Sequence, residues 1–495
     1  LQLQQQDLAL QVNTFAHSFH DTIAIGITEA QQGQGQHTFA VAANPSLNLS
    51  GRAEFAVADF THFAGHITLQ QEQDGLAISA SEAGVWLGRA DQTLAVAASE
   101  AVLILVLLEQ GYMLAAQGQA SLLGVQGLTL SGQLQIELNT ASESQTHHLG
   151  GQILTLAAKS QRFYGTNLVL GMGHWLNLKG TFDFVLAQQQ QDKDEVDILI
   201  MGAGIDTSLG TTDNAHLYMR NIQLGLLIDG HSQHFASKLM GQGILVGANG
   251  LELSGNLTAS INHTGKALQK TIGGLLVSFT DGDHMQYLAG DNIQLSWHQK
   301  QHERDQADWL SLHGSMVFET QSMANGMEIV AHGQQLHGSV GAAQPLVELS
   351  DMQLGLVLEA GGQYALMASG AMALVGAGGL SLNGRSQLRV NHTGKAFKRN
   401  VAGMDMDFTD SSQTRLLQAK QSTLVVAGVG QLQGDFDFDP TGPPQEWLAS
   451  ASNLQGNWSV QGLADGDNNT SYTHIIQLQN AQLGLLLSAD RPHEF

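Results

Sequence analysis

Two short acidic turns carry the residues best suited to chemistry in this chain. Asp465, Asp467 and Asn468 lie in the run DGDNN, and Asp281 and Asp283 form DGD beside His284. Hard carboxylate and amide oxygens around a glycine suit Ca²⁺. Neither run completes an EF-hand loop and neither recurs in every unit, so a solvated turn explains both as well. Histidines number 21, with His147 and His148 adjacent, yet no HExxH or similar spacing converges them on a metal. MGAGIDTSLG at Met201–Gly210 holds GxG without the third glycine or the βαβ setting that a dinucleotide needs. No GxSxG elbow exists, and no nucleophile can be paired with a base. The expectation is a chain that is not an enzyme and holds no cofactor, with Ca²⁺ at those five residues as the one ion-binding option.

Basic residues are few and grouped. Lys266 and Lys270 follow Asn262; Lys395, Lys398 and Arg399 follow Asn391. Against a net charge of −24, from 20 basic and 44 acidic residues, they could dock an acidic face of a neighbouring unit or protomer. The plain alternative is a set of solvated side chains. Asn48, Asn256, Asn262 and Asn391 fit the N-glycosylation acceptor pattern, which turn chemistry explains equally well.

What must position these residues is a repeat. GLTLSGQLQIELNT (Gly127–Thr140), GLELSGNLTASINHTG (Gly250–Gly265) and GLSLNGRSQLRVNHTG (Gly379–Gly394) are copies of one phrase, and LALQVNT (Leu8–Thr14) is a worn fourth. The anchors Asn13, Asn139, Asn262 and Asn391 are 126, 123 and 129 residues apart. Four repeats follow: 1–126, 127–249, 250–378 and 379–495. Other phrases keep their order within each. LKGTFDF (Leu178–Phe184) matches LHGSMVF and LQGDFDF; NIQLGLLI (Asn221–Ile228) matches DMQLGLVL and NAQLGLLL. An enzyme needs one site, whereas a repeat builds length or surface.

Periodicity inside the phrases is two. Leu130, Leu134 and Ile136, then Leu253, Leu257 and Ile261, then Leu382, Leu388 and Val390 share one face and belong in the core. Gln135, Thr258 and Arg389 belong on the other. Gly132, Gly255 and Gly384 sit mid-phrase, where a strand bends or another backbone approaches closely. The QLGLLL segments are apolar on both faces and should be fully buried. Polar runs at Gln188–Asp194 and Gln299–Asp308 read as loops. The fold class is all-β: a repeat array, β-solenoid-like or a continuous folded sheet.

Composition removes several functions. The acidic balance argues against nucleic acid. There are no cysteines, so no disulfide or Cys-ligated metal holds the fold. The longest apolar run, Ala101–Leu108, is too short to span a bilayer as a helix. The first residue is Leu, which suggests a processed or excerpted piece.

The ordered phrases resemble the tandem repeats of giant bacterial surface or extracellular proteins. LQGDFDF, ASASNLQGNW (Ala449–Trp458), IIQLQNAQLGLLL (Ile475–Leu487) and LSLNGRSQLRVNHTG (Leu380–Gly394) carry the likeness. The first copy departs from it, as does Leu103–Leu108, where the QLG glycine is lost. The resemblance implies a non-catalytic, adhesin-like stalk, fibre or surface filament at the cell surface or outside the cell. Its partners would be further copies or repeats end to end, or a cell-surface or matrix component. Two rivals remain. LxLxGxLxL strands also resemble the lipid-conducting β-groove of intermembrane bridge proteins, and a polysaccharide-active β-helix enzyme is a third reading.

Overall fold

A computed structural model describes residues 3–13, 19–25, 35–41, 46–57, 61–72, 75–89, 91–108, 111–149, 152–173, 176–188, 196–209, 215–248, 250–282, 285–298, 308–323, 326–341, 345–375, 378–409, 415–439, 446–462 and 472–488. Strands fill it, and no helix occurs among the described residues. The first repeat holds β1 (Leu3–Asn13), β2 (Phe19–Ile25), β3 (Gly35–Val41), β4 (Ser46–Val57), β5 (Thr61–Glu72), β6 (Gly75–Gly88), β7 (Ala95–Leu108) and β8 (Gly111–Leu123). The second holds β9 (Leu128–Ser131), β10 (Gln133–Asn139), β11 (Gln145–Leu149), β12 (Gln152–Leu156), β13 (Gln161–Met172), β14 (Leu176–Gln188), β15 (Val196–Leu209), β16 (His216–Ile228) and β17 (Phe235–Val246). The third holds β18 (Leu251–Asn262), β19 (Leu268–Ile272), β20 (Leu275–Phe279), β21 (Met285–His298), β22 (Asp308–Met323), β23 (Gly326–Val340), β24 (Val347–Leu358) and β25 (Tyr364–Leu374). The fourth holds β26 (Leu380–Asn391), β27 (Phe397–Val401), β28 (Met404–Phe408), β29 (Arg415–Val426), β30 (Gly430–Asp439), β31 (Glu446–Gly462) and β32 (Tyr472–Ser488).

Twenty-four strands form one sheet and the other eight form four two-stranded hairpins: β2–β3, β11–β12, β19–β20 and β27–β28. Pairing is antiparallel and runs between near neighbours in the chain, with each hairpin stepped over: β1–β4, β10–β13 and β26–β29. This resolves the open choice between parallel coils and an antiparallel sheet. Two compact units can be drawn: Leu1–Ile205 with Gln223–Lys238 and Ile261–Met285, and Asp206–Ile222 with Leu239–Ser260 and Gln286–Phe495.

The core face is the one that the period-two pattern predicts. Leu130, Leu134, Ile136, Leu253, Leu257, Ile261, Leu382, Leu388 and Val390 are all buried. In the first unit this face also meets itself across the core, where Ser237 of β17 donates to Met172 Sδ of β13, 3.8 Å away. Gln135, Thr258 and Arg389 are half-buried rather than open, and the hairpins described below account for Arg389. The Gln188–Asp194 and Gln299–Asp308 loop readings fall almost wholly outside the described residues; their ends, Gln188 and Asp308, close β14 and open β22.

A bulge in many strands reverses the alternation. In β24, Val347 and Leu349 are buried ahead of it, and Met352, Leu354, Leu356 and Leu358 after it. At the switch stands Asp351 with φ +50°, and the β24–β25 register slips between Ser350 and Gln353. Asn167, Asn221, Asn292, Gln335, Gln421, Asn453 and Asn480 take the same left-handed conformation in their strands. Asn and Asp reach it at lowest cost after glycine. The mid-phrase glycines fit against these bulges. A Cβ on Gly132 (φ +117°) would lie 3.2 Å from Asn167 O, and one on Gly255 (φ +150°) 3.0 Å from Ile293 Cα.

Candidate functional site

The repeat's chemistry-bearing residues converge on the hairpins, and their work is to fasten them. The last three phrases each end on an asparagine that is almost wholly buried: Asn139, Asn262 and Asn391. Asn262 Oδ1 accepts from Thr264 N at 3.0 Å and Thr264 Oγ1 at 2.7 Å; its Nδ2 donates to Lys266 O and Asp281 O, both at 3.0 Å. Asn391 repeats this with Thr393 N, Thr393 Oγ1 and Lys395 O. Asn139 donates to Glu143 O, Leu156 O and Ala157 O and accepts from Ala141 N. One amide thus closes the turn into the hairpin and, in two copies, grips its far end. Asn262 and Asn391, read as acceptor tripeptides, are committed to this role.

Three hairpins, β11–β12, β19–β20 and β27–β28, lie over strands of their own unit, and the last two cover the second apolar face of a QLG strand. Ile272, Val277, Phe279 and Leu268 pack on Leu199, Met201, Leu227 and Ala236. Val401, Met406, Phe408, Phe397 and Met404 pack on Val330, Val357, Ala365 and Met367. Leu156 packs on Ile104, Val106, Leu108 and Met113. The QLG glycine lets the hairpin in. A Cβ on Gly355 would sit 3.2 Å from Met406 Sδ and 3.4 Å from Val401 Cβ; one on Gly225, 3.1 Å from Val277.

The grouped cations latch these hairpins down. Lys266 pairs with Asp229, and Lys270 with Asp197 at 3.4 Å. Lys395 pairs with Glu359 at 2.8 Å, and Arg399 with Glu328. So the acidic face that the basic residues meet lies in their own chain. Arg399 also donates to Gln321 Oε1 at 2.6 Å. Arg389 stacks its guanidinium 5.0 Å from the Phe408 ring and donates to Asp407 O. Burial alone would push the Asp229 carboxyl up, but bonds from Lys266, Ser232 N and Ser232 Oγ outweigh it, and its pKa lies below the ordinary value. In the β11–β12 hairpin, Glu143 and His147 stand at the positions of Lys266 and Lys270.

A second use of acidic residues is at the bulges. Asp435 Oδ1 on β30 accepts from Gln421 N on β29 at 3.0 Å, and its Oδ2 accepts from Asn453 Nδ2 on β31 at 3.2 Å. The Gln421 amide first, then Asn453, holds its pKa below the usual carboxylate range. On the polar sheet face, Tyr164 donates to Glu137 Oε1 at 2.7 Å, and its pKa is pushed up to about 12 by burial and by that carboxylate.

The calcium reading gains no geometry. Asp281 is exposed and spends its carbonyl on Asn262; Asp283, Asp465, Asp467 and Asn468 lie outside the described residues. No cluster of three or more metal-ligating side chains occurs among the described residues. In the second unit a groove of about 640 Å³ crosses β16, β17, β18 and β21, lined by Arg220, Gln242, Glu252, Asn256, Gln294 and Ser296 among others. Arg220 Nε is bonded to Gln242 there at 3.2 Å. These groups can hydrogen-bond a polar chain.

Comparison with protein-family models, with curated proteins and with solved structures finds no match. Sequence reasoning missed the hairpins. The signal was present: Leu268, Ile272, Val277 and Phe279 recur 129 residues later as Phe397, Val401, Met406 and Phe408.

Proposed function

We propose that this chain is a structural repeat segment, part of a fibre, stalk or surface filament outside the cell, and that it performs no reaction. The observation that carries this reading is the reuse of one device: a buried asparagine, a hairpin and a latch, built twice with matching residues and a third time without the ion pairs. Charged and polar groups that would otherwise be candidates for chemistry serve it. Repeats of this kind gain stability from contacts with their neighbours and extend by addition. Adhesion or ligand binding, if the whole protein has them, would belong elsewhere or to the polar groove. The lipid-trough reading needs a continuous bare apolar face, whereas the shared aliphatic face, with Leu134, Leu257 and Leu388, is buried.

Negative-stain imaging of the purified chain, joined to native mass spectrometry, tests this. Uniform rods without co-purified lipid are the expected result. Particles carrying stoichiometric lipid, or turnover of a polysaccharide panel, would replace it.

A further inference from the structure

We propose that the outer face of β31 and β32 is a docking site for a basic-bearing β-hairpin of the class formed by Leu268–Phe279 and Phe397–Phe408. The inference concerns one face and stands whether or not the array reading does. Leu486 occupies the position of Leu227 and Val357, two residues after the QLG glycine. Leu448 pairs with Leu486 as Val330 pairs with Val357. Under their hairpins Leu227, Val330 and Val357 are at most 5% exposed, whereas Leu448 is 58% and Leu486 47% exposed. Position at a sheet edge does not explain the exposure of Leu448, because β31 is paired on both sides, to β30 and β32. The glycine agrees. A Cβ on Gly225 or Gly355 meets hairpin atoms at once, and one on Gly484 meets nothing within 4 Å. The face therefore keeps the shape that receives a hairpin, and no hairpin covers it among the described residues.

Charge selects the occupant. Two residues before Leu199 and Val330 stand Asp197 and Glu328, the partners of Lys270 and Arg399. Two residues before Leu448 stands Glu446. At the first site the corresponding position is Gly75, and the hairpin there carries His147 instead of a lysine or arginine. Acid on the floor thus goes with a cation eight residues after the anchoring asparagine. The hairpin β2–β3 of a second copy offers Asp21 at that position and is mismatched. What fits is a hairpin with aliphatic or aromatic residues on one face and Lys or Arg at that place. Burying one leucine such as Leu486 supplies most of the drive, and the pair adds direction.

The absence of cysteine makes a clean test possible. The full chain carrying Gly484→Cys is mixed with a peptide copy of residues 359–410 carrying Val401→Cys, activated as a mixed disulfide. The pair copies Gly355 and Val401, whose Cβ separation of 3.4 Å is close to that of a disulfide. Ile153→Cys, at a position 67% exposed, is the control. Capture at residue 484 at least about tenfold faster than at 153 is expected, and Leu486→Lys should remove about tenfold of it. The peptide with Arg399→Glu should be captured about fivefold less, and Glu446→Lys in the chain should restore it. Equal capture at 484 and 153 overturns the proposal. So does rapid cross-linking of residue 484 between two copies of the chain, which would mean that the face seats itself, and so does a peptide whose charge makes no difference.

Discussion

β24 and β32 carry nearly the same words, DMQLGLVL and NAQLGLLL, and end in opposite states. Val357 in β24 is fully buried, while Leu486 in β32 is almost half exposed. Both strands bulge at a left-handed residue, Asp351 or Asn480, and both pair with the strand before them. Two things differ: β24 lies under the hairpin β27–β28 and is paired on its other side by β25, whereas among the described residues β32 has neither, and its Leu483 and Leu485 are half-buried where Leu354 and Leu356 are buried. A phrase that is apolar on both faces therefore does not secure its own burial: the sheet covers one face, and an element more than forty residues downstream covers the other. The expectation that every QLGLLL segment is fully buried holds for β16 and β24 and fails for β32 for this reason.

The comparison breaks most sharply if a charge is placed at both positions. Val357→Asp would bury an unpaired carboxylate beneath Val401 and Met406 and should cost about 3–5 kcal/mol. Leu486→Asp should stay within about 0.5 kcal/mol of the parent. Urea midpoints of the two variants measure this, and equal losses would mean that β32 is covered in solution. Next in size is Asn391→Leu. It removes bonds to Thr393 N, Thr393 Oγ1 and Lys395 O at about 1 kcal/mol each, so a loss of about 3 kcal/mol is expected. Hydrogen exchange should locate the loosening in β27–β28, with β31–β32 unchanged. Smaller again is Gly355→Val, which overpacks Met406 and Val401 and should cost about 1–3 kcal/mol. Gly484→Val, with open space around it, should be neutral or mildly stabilising as a strand former.

Much of this was legible. Alternation in the phrases placed Leu257 inside and marked Thr258 for the other face, because a strand has only two faces and aliphatic residues took one. Gly132 and Gly255 were visible as points of close approach, but not what approaches them. Bulges are set by the partner strand's register, although an Asn or Asp four residues before each QLG glycine is a readable sign. The latch was half visible. Lys266 and Arg399 stood out as grouped cations, yet Asp229 and Glu328 lie 37 and 71 residues away, and no local pattern pairs them. The acidic turns looked like ion sites because oxygen-rich turns and calcium loops share a composition. Asp281 shows the ambiguity: its backbone carbonyl closes a hairpin, and its side chain is exposed.

The latches allow a pH test that separates covered from uncovered strands. Asp229 has a folded pKa below the ordinary value of 3.8. A group depressed in this way adds stability that is fully present above its unfolded pKa and is lost as pH falls through the folded one. Protection of β19–β20 amides should therefore hold down to about pH 4 and then decline, faster than that of β11–β12, whose hairpin carries Glu143 and His147 in place of the two lysines. Asp229→Asn should flatten the difference. An identical decline in both hairpins would remove the ion pair from the account.

The smallest effect sharpens what counts as a latch. Lys398 also pairs with an acid, Asp407 at 2.8 Å, and the pairing raises its pKa. Both residues, however, belong to the hairpin, and their side chains are 81% and 45% exposed. In water such a pair gains little and is screened by salt. Arg399 differs in both respects: it joins the hairpin to Glu328 on the floor, and the two side chains are only 22% and 9% exposed. Lys398→Ala should leave the urea midpoint and the exchange of β27–β28 unchanged, in low salt and high. Arg399→Ala should loosen that hairpin while leaving β19–β20 alone. If the two substitutions acted alike, the cations would be contributing net charge to an acidic chain rather than fastening a particular element, and the acid at Glu446 would lose its meaning as a selector.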